Sequence, residues 1–250
     1  MIEIKNISKS FGDKKVLNNL TAKFEKGQIN LIIGKSGSGK TMSIKCMLGL
    51  QNVDQGSIIF DSRDFTKIKE KERRDIRREI GVVFQGSALF DSMTIEDNVM
   101  FPLKMTSDML VKDMRKRVDF CLERVDLHNV NKLYPSELSG GMQKRVAIAR
   151  AISLNPKYLF CDEPNSGLDP TTSKVIDNLL KEITYEYNIT TVINTHDMNS
   201  VLEIGDNIIF IQDGSEKWSG GRDGFLKSNN SDLNEFIFSS ATFSKLKSII

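Results

Sequence analysis

The chain has 250 residues, enough for one large domain or for a core with a smaller insertion. Its hydrophobic content of 39% and charged content of 27% are ordinary for a globular protein, and a net charge of +2 argues against a protein that coats polyanions. No apolar run approaches the ~20 residues that span a bilayer. The N-terminal sequence MIEIKNISKSF lacks the apolar core of a secretory signal. Any membrane role is therefore expected to come through a partner.

Apolar patterning predicts strands that alternate with helices. The N-terminal residues alternate as strands do, and NLII predicts a buried strand that leads into a glycine-rich loop and a helix through Ile44, Leu48 and Leu50. Further strands are predicted for SIIF, GVVF, YLFCDEP and TTVINTHD, and a closing hairpin for NIIFIQDG with KWSG. Because most of these strands are apolar throughout, they predict a largely parallel sheet covered on both faces.

Two longer stretches have helical spacing. The first is predicted to begin at about Thr106, with one apolar face formed by Leu110, Met114, Val118, Leu122 and Val125. The second carries Val175, Ile176, Leu179, Leu180 and Ile183. The region 87–155 interrupts the alternation of strands and helices, which predicts a helical subdomain inserted in the core.

Three features of the sequence are interpreted as structural and not as functional sites: the cysteines, one charged run and one histidine. The cysteines Cys46, Cys121 and Cys161 lie in apolar segments without metal-binding spacing, which predicts buried, reduced thiols in a cytoplasmic protein. The run KIKEKERRDIRRE mixes both signs of charge at helical distances, which favours a solvated helix face, so no nucleic-acid partner is expected. His128 lies in a polar turn and is expected at the surface.

The segment GKSGSGKT, Gly34 to Thr41, matches the phosphate-loop pattern G-x-x-x-x-G-K-[ST] between a predicted strand and a predicted helix. Glycines let backbone N–H groups surround phosphates at the positive end of a helix. Lys40 is expected to reach the β- and γ-phosphates, and the Thr41 hydroxyl to hold Mg²⁺.

Polar residues also follow three other predicted strands. Asp162 and Glu163 end the strand YLFCDEP, so Asp162 is placed to support Mg²⁺ through water, and Glu163 to polarise a water for attack on the γ-phosphate. His196 closes another strand and is expected to reach the γ-phosphate. Gln85 follows GVVF and is expected to contact Mg²⁺ or the attacking water.

A second anion-binding segment, LSGGMQKR, begins at Leu138. Ser139 is predicted to cap a helix, and Gly140 and Gly141 would allow a phosphate to approach its free N–H groups. GKSGSGKT, Gln85, LSGG, CDEP, SGLD and His196 together resemble the ATP-binding-cassette (ABC) ATPases in order and spacing. The resemblance covers residues 1 to about 220.

The resemblance implies an α/β fold: a P-loop NTPase core with a mostly parallel sheet, an N-terminal antiparallel β subdomain and the inserted helical subdomain. It implies an ABC ATPase domain over 1–225, followed by a C-terminal tail, 226–250, which we expect to be partly helical. The implied nucleotide site comprises Phe11 against adenine, Val16 beside it, and Gly34, Lys35, Ser36, Gly37, Ser38, Gly39, Lys40, Thr41 and Met42.

The resemblance also implies how the two anion-binding segments cooperate. Cassettes of this family pair head to tail, and each ATP lies between the phosphate loop of one subunit and the LSGG of the other. A homodimer is therefore expected, in which Ser139, Gly140 and Gly141 act in trans. Asp169 would cross to the partner's phosphate loop. Met142 stands where the family usually has glutamine, so a polar contact near the ribose is expected to be missing.

The implied chemistry is ATP hydrolysis with ATP and Mg²⁺. The implied catalytic residues are Glu163, His196, Lys40 and Gln85, and the implied metal-binding residues are Thr41, Gln85 and Asp162. One cassette without sustained heptads favours the engine of a membrane transporter, with its permease on a separate chain, over a soluble cassette protein that acts on ribosomes or DNA. The expected location is the cytoplasmic face of a bacterial inner membrane.

The segment Gly86 to Leu103 resembles cassettes of Mce/Mla-type phospholipid-trafficking systems, as does LSGGM. It implies lipid transport and a periplasmic Mce-type lipid-binding partner. Amino-acid importers, lipoprotein-release and cell-division cassettes share parts of this pattern and remain alternatives. Leu89 and Phe90 are predicted to be exposed and to dock the permease, whereas Val99 to Leu103 would serve either docking or internal packing.

Overall fold

The structure is a computed structural model that describes residues 1–238. The described chain divides into two compact units, Met1–Ile68 with the chain from Val192 onward, and Lys69–Thr191. No helix within residues 1–238 has the length and apolar character needed to cross a membrane. The last part of the predicted tail 226–250, from residue 239, lies outside the described residues.

The strands assigned in the described chain are β1 (Ile2–Phe11), β2 (Lys14–Phe24), β3 (Ile29–Ile33), β4 (Gln55–Phe60), β5 (Arg63–Asp64), β6 (Ile80–Val83), β7 (Tyr158–Asp162), β8 (Thr190–Asn194), β9 (Asn207–Gln212) and β10 (Ser215–Gly221). The α-helices are α1 (Lys40–Met47), α2 (Glu70–Arg78), α3 (Ile95–Thr106), α4 (Val111–Arg124), α5 (Gly140–Ile152), α6 (Pro170–Glu186), α7 (Met198–Ile204), α8 (Arg222–Phe225) and α9 (Ser231–Phe238).

The N-terminal strands form an antiparallel sheet in the order β2-β1-β4-β5. Ile2 lies opposite Phe24 and Ile4 opposite Ala22, and all four side chains are buried. One face of this sheet is therefore apolar, because successive strand residues point to opposite faces.

The larger sheet has the strand order β10-β9-β3-β8-β7-β6. β3 runs parallel to β9 and β6 runs parallel to β7, whereas β10 pairs antiparallel with β9 as a hairpin. Every residue of β3 and β8 is buried, which explains why these strands have no polar alternation. The predicted α/β fold, with a mostly parallel sheet and an antiparallel N-terminal sheet, is confirmed.

The helical predictions need three corrections. The helix predicted from about Thr106 is wrong at its start, because α3 ends there, Ser107 is extended and α4 begins at Val111. Leu110 precedes α4 and is 73% exposed, so it does not belong to the apolar face. α1 ends at Met47, before Gly49 takes a positive φ of 70°, and leaves Leu50 exposed. Val175 of α6 is exposed as well.

Three helices of the second unit, α3, α4 and α5, fall within the predicted subdomain 87–155, whose boundaries stay a prediction. Its charged run forms α2, in which only Ile76 is buried. Acidic residues occupy the first turn of α2 and basic residues the last, which complements the helix dipole. The charged residues of α2 are thus not buried, which agrees with the predicted solvated helix face.

The three cysteines are unpaired thiols and all are buried. Burial raises the pKa of Cys46 and of Cys121 to about 11, and it raises the pKa of Cys161 as well. A thiol with a raised pKa is a poor nucleophile at neutral pH, so these residues pack as apolar groups.

Candidate functional site

The phosphate loop of the first unit joins β3 to α1. Gly39 caps α1 with a φ of 107° and supplies no side-chain hydrogen bond, so no side chain of the cap competes for the first N–H groups of the helix. Lys40 is buried, and its Nζ donates to the carbonyl oxygens of Gly34 at 2.7 Å and Lys35 at 3.1 Å. The loop therefore holds a positive charge beside a helix N-terminus, which suits an anionic ligand.

Close packing explains the first glycine of this loop. A Cβ atom at Gly34 would lie 2.2 Å from the carbonyl oxygen of Ile211. Ser38 is also buried, and its Oγ has no hydrogen-bond partner among the described residues. Ser36 and Gly37 lie on the exposed side of the loop.

A cavity of about 410 Å³ adjoins the loop in the first unit. It is lined by Lys14, Lys15, Val16, Gly37, Gly39, Lys40, Thr41, Met42, Asp213 and Gly214. The wall thus includes the predicted Val16 and much of the predicted loop. Phe11 is not part of this wall; its ring is 48% exposed, and the Nζ of Lys9 lies 5.3 Å from the ring centre.

The turn between β9 and β10 is a wall of this cavity that the sequence analysis missed. Asp213 and Gly214 both have positive φ, 50° and 72°, as an Asp-Gly hairpin turn requires. Gly214 N donates to Ser38 O at 3.0 Å, and a Cβ at Gly214 would lie 2.5 Å from Val16 O. The Asp-Gly pair signals a hairpin, but its position beside the phosphate loop depends on tertiary structure.

The carboxyl end of β8 brings a second missed residue to Thr41. Asn194 is buried, and its Nδ2 donates to Thr41 Oγ1 at 3.2 Å. Thr195 N donates to Ile32 O, which fixes the chain where it leaves the strand. His196 follows and is exposed, as a residue that meets a ligand must be.

The acidic pair of the second unit lies where β7 ends. Val83 is in register with Cys161, so Gln85 and Glu163 leave the sheet at the same edge. Gln85 Nε2 donates to Glu163 Oε2 at 3.1 Å and lies 3.3 Å from Ser166 Oγ. Glu163 has a positive φ of 47°, an uncommon conformation for a residue with a side chain.

A buried cation that was not predicted contacts Gln85. Lys144 of α5 is only 5% exposed, and its Nζ donates to the backbone oxygen of Gln85. Burial lowers the pKa of the Lys144 ammonium, and the nearby Cys161 and Glu163 act in the opposite direction.

The LSGG segment begins α5 as predicted. Ser139 is the N-cap, and its Oγ accepts a hydrogen bond from Met142 N at 3.3 Å. Ser139 and Gly140 are exposed, whereas a Cβ at Gly141 would lie 2.7 Å from Thr172 Cγ2. Gly141 is therefore required by packing against α6.

Asp169 caps α6. Its Oδ1 accepts from Thr171 N and Thr172 N, both at 3.0 Å. Hydrogen bonds from Thr172 are the main reason that the pKa of Asp169 is lowered. The same threonine thus contacts Gly141 and Asp169.

The segment after Gln85 separates into exposed and buried residues. Phe90 is 41% exposed and lies 4.9 Å from the ring of Phe101, and Leu89 is half-buried. Val99, Met100 and Leu103 are buried in the described structure, which favours internal packing for these three α3 residues.

Residues 17–166 match the family described as ABC transporter. The chain belongs to the ABC transporter family. It is 38% identical to the methionine import ATP-binding protein MetN of Campylobacter jejuni, over 95% of this chain and 75% of that protein. It is 36% identical to the intermembrane phospholipid transport system ATP-binding protein MlaF of Haemophilus influenzae, over 95% of this chain and 90% of that protein.

The solved dimer of an ATP-binding cassette in a post-hydrolysis state, bound to ADP and Pi, has a TM-score of 0.81 to this ABC ATPase. The two chains are 33% identical, and the match covers 90% of this chain and 100% of the other. The predictions of an ABC ATPase and of ATP hydrolysis as its activity are confirmed. The protein is the ATP-binding subunit of a transporter.

Proposed function

We propose that two copies of this ABC ATPase associate head to tail and share two ATP molecules between them. The phosphate loop would hold the nucleotide in its own subunit. Ser139, Gly140 and Gly141 would approach the γ-phosphate of the partner's nucleotide, and Asp169 would contact the partner's loop. The capped start of α5 supports this proposal, because Ser139 and Gly140 are exposed where a helix has N–H groups without helical partners.

Hydrolysis in this proposal depends on positioning and charge more than on covalent chemistry. Lys40 would stabilise charge on the γ-phosphate, Glu163 would accept a proton from the attacking water, and His196 would contact the γ-phosphate. The 3.1 Å contact between Gln85 and Glu163 is the observation that carries this assignment, since it places an amide beside the proposed base.

The proposed metal-binding residues suit Mg²⁺, because a hydroxyl, an amide and a carboxylate offer the oxygen ligands that this ion prefers. They are Thr41, Gln85 and Asp162, with Asp162 acting through water. No group of three or more His, Cys, Asp or Glu residues within 1–238 is arranged to hold a metal ion. When bound, Mg²⁺ would neutralise charge on the phosphates.

Glu163→Gln tests the assignment of the base. The substitution keeps the shape and the hydrogen bond to Gln85 but removes the proton acceptor, so kcat should fall by ~10²–10⁴-fold. ATP binding should persist, and an ATP-bound dimer should accumulate in size-exclusion chromatography. Turnover within a few-fold of wild type would remove Glu163 from this role.

We propose phospholipid as the cargo of the complete transporter. The segment Gly86 to Leu103 and LSGGM resemble Mce/Mla-type cassettes, and the similarity to MlaF supports this assignment. In that case the partners are a separate permease and a periplasmic Mce-type lipid-binding subunit, and the ATPase works at the cytoplasmic face of the inner membrane.

Methionine import is the second candidate, because several MetN proteins are 36–42% identical to the chain. The permease encoded beside the gene decides between the two. The purified ATPase–permease complex should be assayed for hydrolysis in proteoliposomes, with transfer of labelled phospholipid and uptake of labelled methionine measured in parallel. ATP-dependent transfer of phospholipid would support phospholipid as the cargo. Methionine uptake without lipid transfer would reject phospholipid and favour methionine import.

Phe90, with its neighbour Leu89, is proposed to dock the permease. The exposed Phe90 ring rests on Phe101, so an aspartate there would remove an apolar surface without entering the core. Phe90→Asp should keep the isolated ATPase active but prevent co-purification with the permease, and Leu89→Asp should weaken it. The exposed Tyr185→Asp is a control on another surface of the second unit. Loss of folding in Phe90→Asp would favour a packing role instead.

A further inference from the structure

Helix α5 holds the segment that follows β6 through two buried cations. Arg150 is 9% exposed, and its guanidinium donates to the backbone oxygens of Ser87 and Ala88, both at 2.7 Å. Lys144 is 5% exposed and donates to the backbone oxygen of Gln85. Three carbonyl groups of this segment are thus anchored to one helix.

The anchored segment needs such support. Ser87 and Ala88 both have positive φ, 62° and 48°, which side-chain-bearing residues seldom adopt without surrounding constraints. The two bonds from Arg150 help to hold both residues in this conformation. The carbonyl of Gln85 is held separately, by Lys144.

The charge on Lys144 is unusual for its surroundings. Transferring an ammonium group out of water is unfavourable unless nearby groups compensate, and burial lowers the pKa of Lys144 accordingly. Its Nζ donates to a neutral carbonyl group, that of Gln85. The hydrogen bond from this buried Nζ to the Gln85 carbonyl is therefore the contact that can hold the Gln85 backbone.

We propose that Lys144 is a positioning residue for ATP hydrolysis, which fixes the backbone of Gln85 so that the Gln85 amide stays at hydrogen-bond distance from Glu163. The inference rests on the proposed role of Glu163 as the base. Because Ser139 begins the same helix, α5 connects the surface proposed to meet the partner's ATP with the Gln85–Glu163 pair of its own subunit. A rigid shift of the start of α5 would therefore move the anchor of Gln85.

The test compares steady-state hydrolysis by full-length wild type, Lys144→Met, Lys144→Arg and the control Lys112→Met, which alters an exposed lysine of α4. Methionine keeps the apolar stem and removes the donor. Misplacing a catalytic group by a fraction of an ångström to 1 Å costs up to ~10²-fold, so we expect kcat to fall by about 10-fold or more. The KM for ATP should stay within about 2-fold, because the substitution is expected to leave the ground-state contacts of ATP unchanged. Lys144→Arg should recover much of the rate, and the control should match wild type.

A double-variant cycle separates positioning from general loss of structure. If Lys144 acts through Gln85, then Lys144→Met should reduce kcat much less in a Gln85→Ala background than in wild type. Three outcomes would each overturn the proposal. The losses in kcat from Lys144→Met and Gln85→Ala could be additive, Lys144→Met alone could keep kcat within about 2-fold of wild type, or it could raise KM in parallel with the fall in kcat. Thermal unfolding with and without ADP checks the fold. If Lys144→Met does not fold, the shorter and neutral Lys144→Gln is measured in the same way and judged by the same criteria.

Failure of this inference is distinguishable from failure of the proposed catalytic assignment. Slow turnover by Glu163→Gln together with unaffected turnover by Lys144→Met would retain Glu163 as the base and reject Lys144. Normal turnover by Glu163→Gln would reject the base itself, and with it the role of Lys144.

Discussion

Helices α1 and α5 both begin at a glycine-rich segment, yet their first turns are constructed differently. Gly39 caps α1 in a left-handed conformation and contributes no side chain, whereas Ser139 caps α5 in an extended conformation and accepts a hydrogen bond from Met142 N. α1 begins with Lys40, whose side chain donates to the carbonyl oxygen of Gly34 in the same loop, whereas α5 begins with two glycines.

The start of α1 is enclosed by its surroundings, whereas the start of α5 is open to solvent. Lys40 is held by two carbonyls of its loop, and the turn at Asp213 and Gly214 closes one wall of the cavity. Ser139 and Gly140, by contrast, are exposed to solvent. This difference favours a phosphate loop that retains nucleotide by itself and an LSGG segment that becomes useful only when another molecule is presented to it.

The largest expected effect separates binding from hydrolysis. Lys40→Ala removes the cation of the enclosed loop and should abolish both ATP binding and turnover. Ser139→Arg should also reduce kcat by more than ~10²-fold, as loss of a transition-state contact does, but should leave ATP binding to the phosphate loop intact. Fluorescent-nucleotide titration and phosphate release measure the two quantities.

Mixed dimers extend this comparison to the shared site. A dimer with Ser139→Arg in one subunit and Lys40→Ala in the other places both defects in one composite site and should keep the second site competent. Complete inactivity of that heterodimer, with both single-defect heterodimers active, would contradict sharing across the interface.

The second prediction compares the glycines of the two segments. Gly34→Ala would force a Cβ to within 2.2 Å of Ile211 O, whereas the nearest atom to a Cβ at Gly140 is Leu168 Cδ2 at 3.8 Å. Overpacking against backbone should lower the free energy of unfolding by about 3 kcal/mol for Gly34→Ala. Gly140→Ala should change stability by less than ~0.5 kcal/mol, as most surface substitutions do. Chemical denaturation of both variants gives the comparison, and equal losses would contradict it.

These sites differ in how far the sequence predicts them. The phosphate loop and the Ser139 cap are predictable because local backbone chemistry determines them. The buried strands are predictable as well, because a parallel strand covered on both faces needs an apolar run. The position of the Asp213–Gly214 turn beside the phosphate loop is not predictable, because the residues that it contacts are distant in the chain. The burial of Lys144 is not predictable either, because an isolated lysine in a helix normally predicts exposure.

The same distinction explains the errors in the helical region. α3 contains Pro102, and a proline is unfavourable inside a helix, so the segment was interpreted as a connection although it is apolar. The break at Ser107 is a matter of backbone conformation that apolar spacing does not report. The prediction therefore joined the end of α3 and the residues before α4 to the helix that carries the apolar face.

The third prediction concerns the cap of the open segment. Ser139→Ala removes the acceptor for Met142 N and should destabilise α5 by about 1 kcal/mol. Hydrogen exchange of the first-turn amides of α5 should increase, while amides of α1, which has no side-chain cap, stay unchanged. Unchanged exchange in α5 would show that the 3.3 Å bond contributes little.

A smaller effect is expected at Met142, where the family usually has glutamine. Met142→Gln should restore a polar contact near the ribose and improve apparent ATP affinity by up to ~1 kcal/mol, the value of a typical net hydrogen bond. The effect should appear only when dimers form, so the control is the affinity measured in a monomeric background, at a protein concentration too low for dimers. A gain in that background would place the contact within one subunit.

The smallest effect is a pH dependence at Asp169. Hydrogen bonds lower the pKa of this carboxylate in the folded chain, so its stabilising contribution is present above the unfolded-state pKa and is lost as pH falls through the folded-state pKa. Asp169→Asn should therefore make the melting temperature slightly less sensitive to acid. An unchanged acid profile would show that capping of α6 does not depend on this charge.

The contact between Gly141 and Thr172 has a consequence for sequence evolution. A side chain at position 141 fits only if position 172 loses its methyl group or α6 moves, and a moved α6 would displace Asp169. Positions 141 and 172 should therefore covary among relatives. We expect glycine at 141 where 172 is threonine or valine, and alanine at 141 only where 172 is serine or glycine. Chimeric cassettes that exchange the α5 segment without the start of α6 should lose activity more often than chimeras that exchange both.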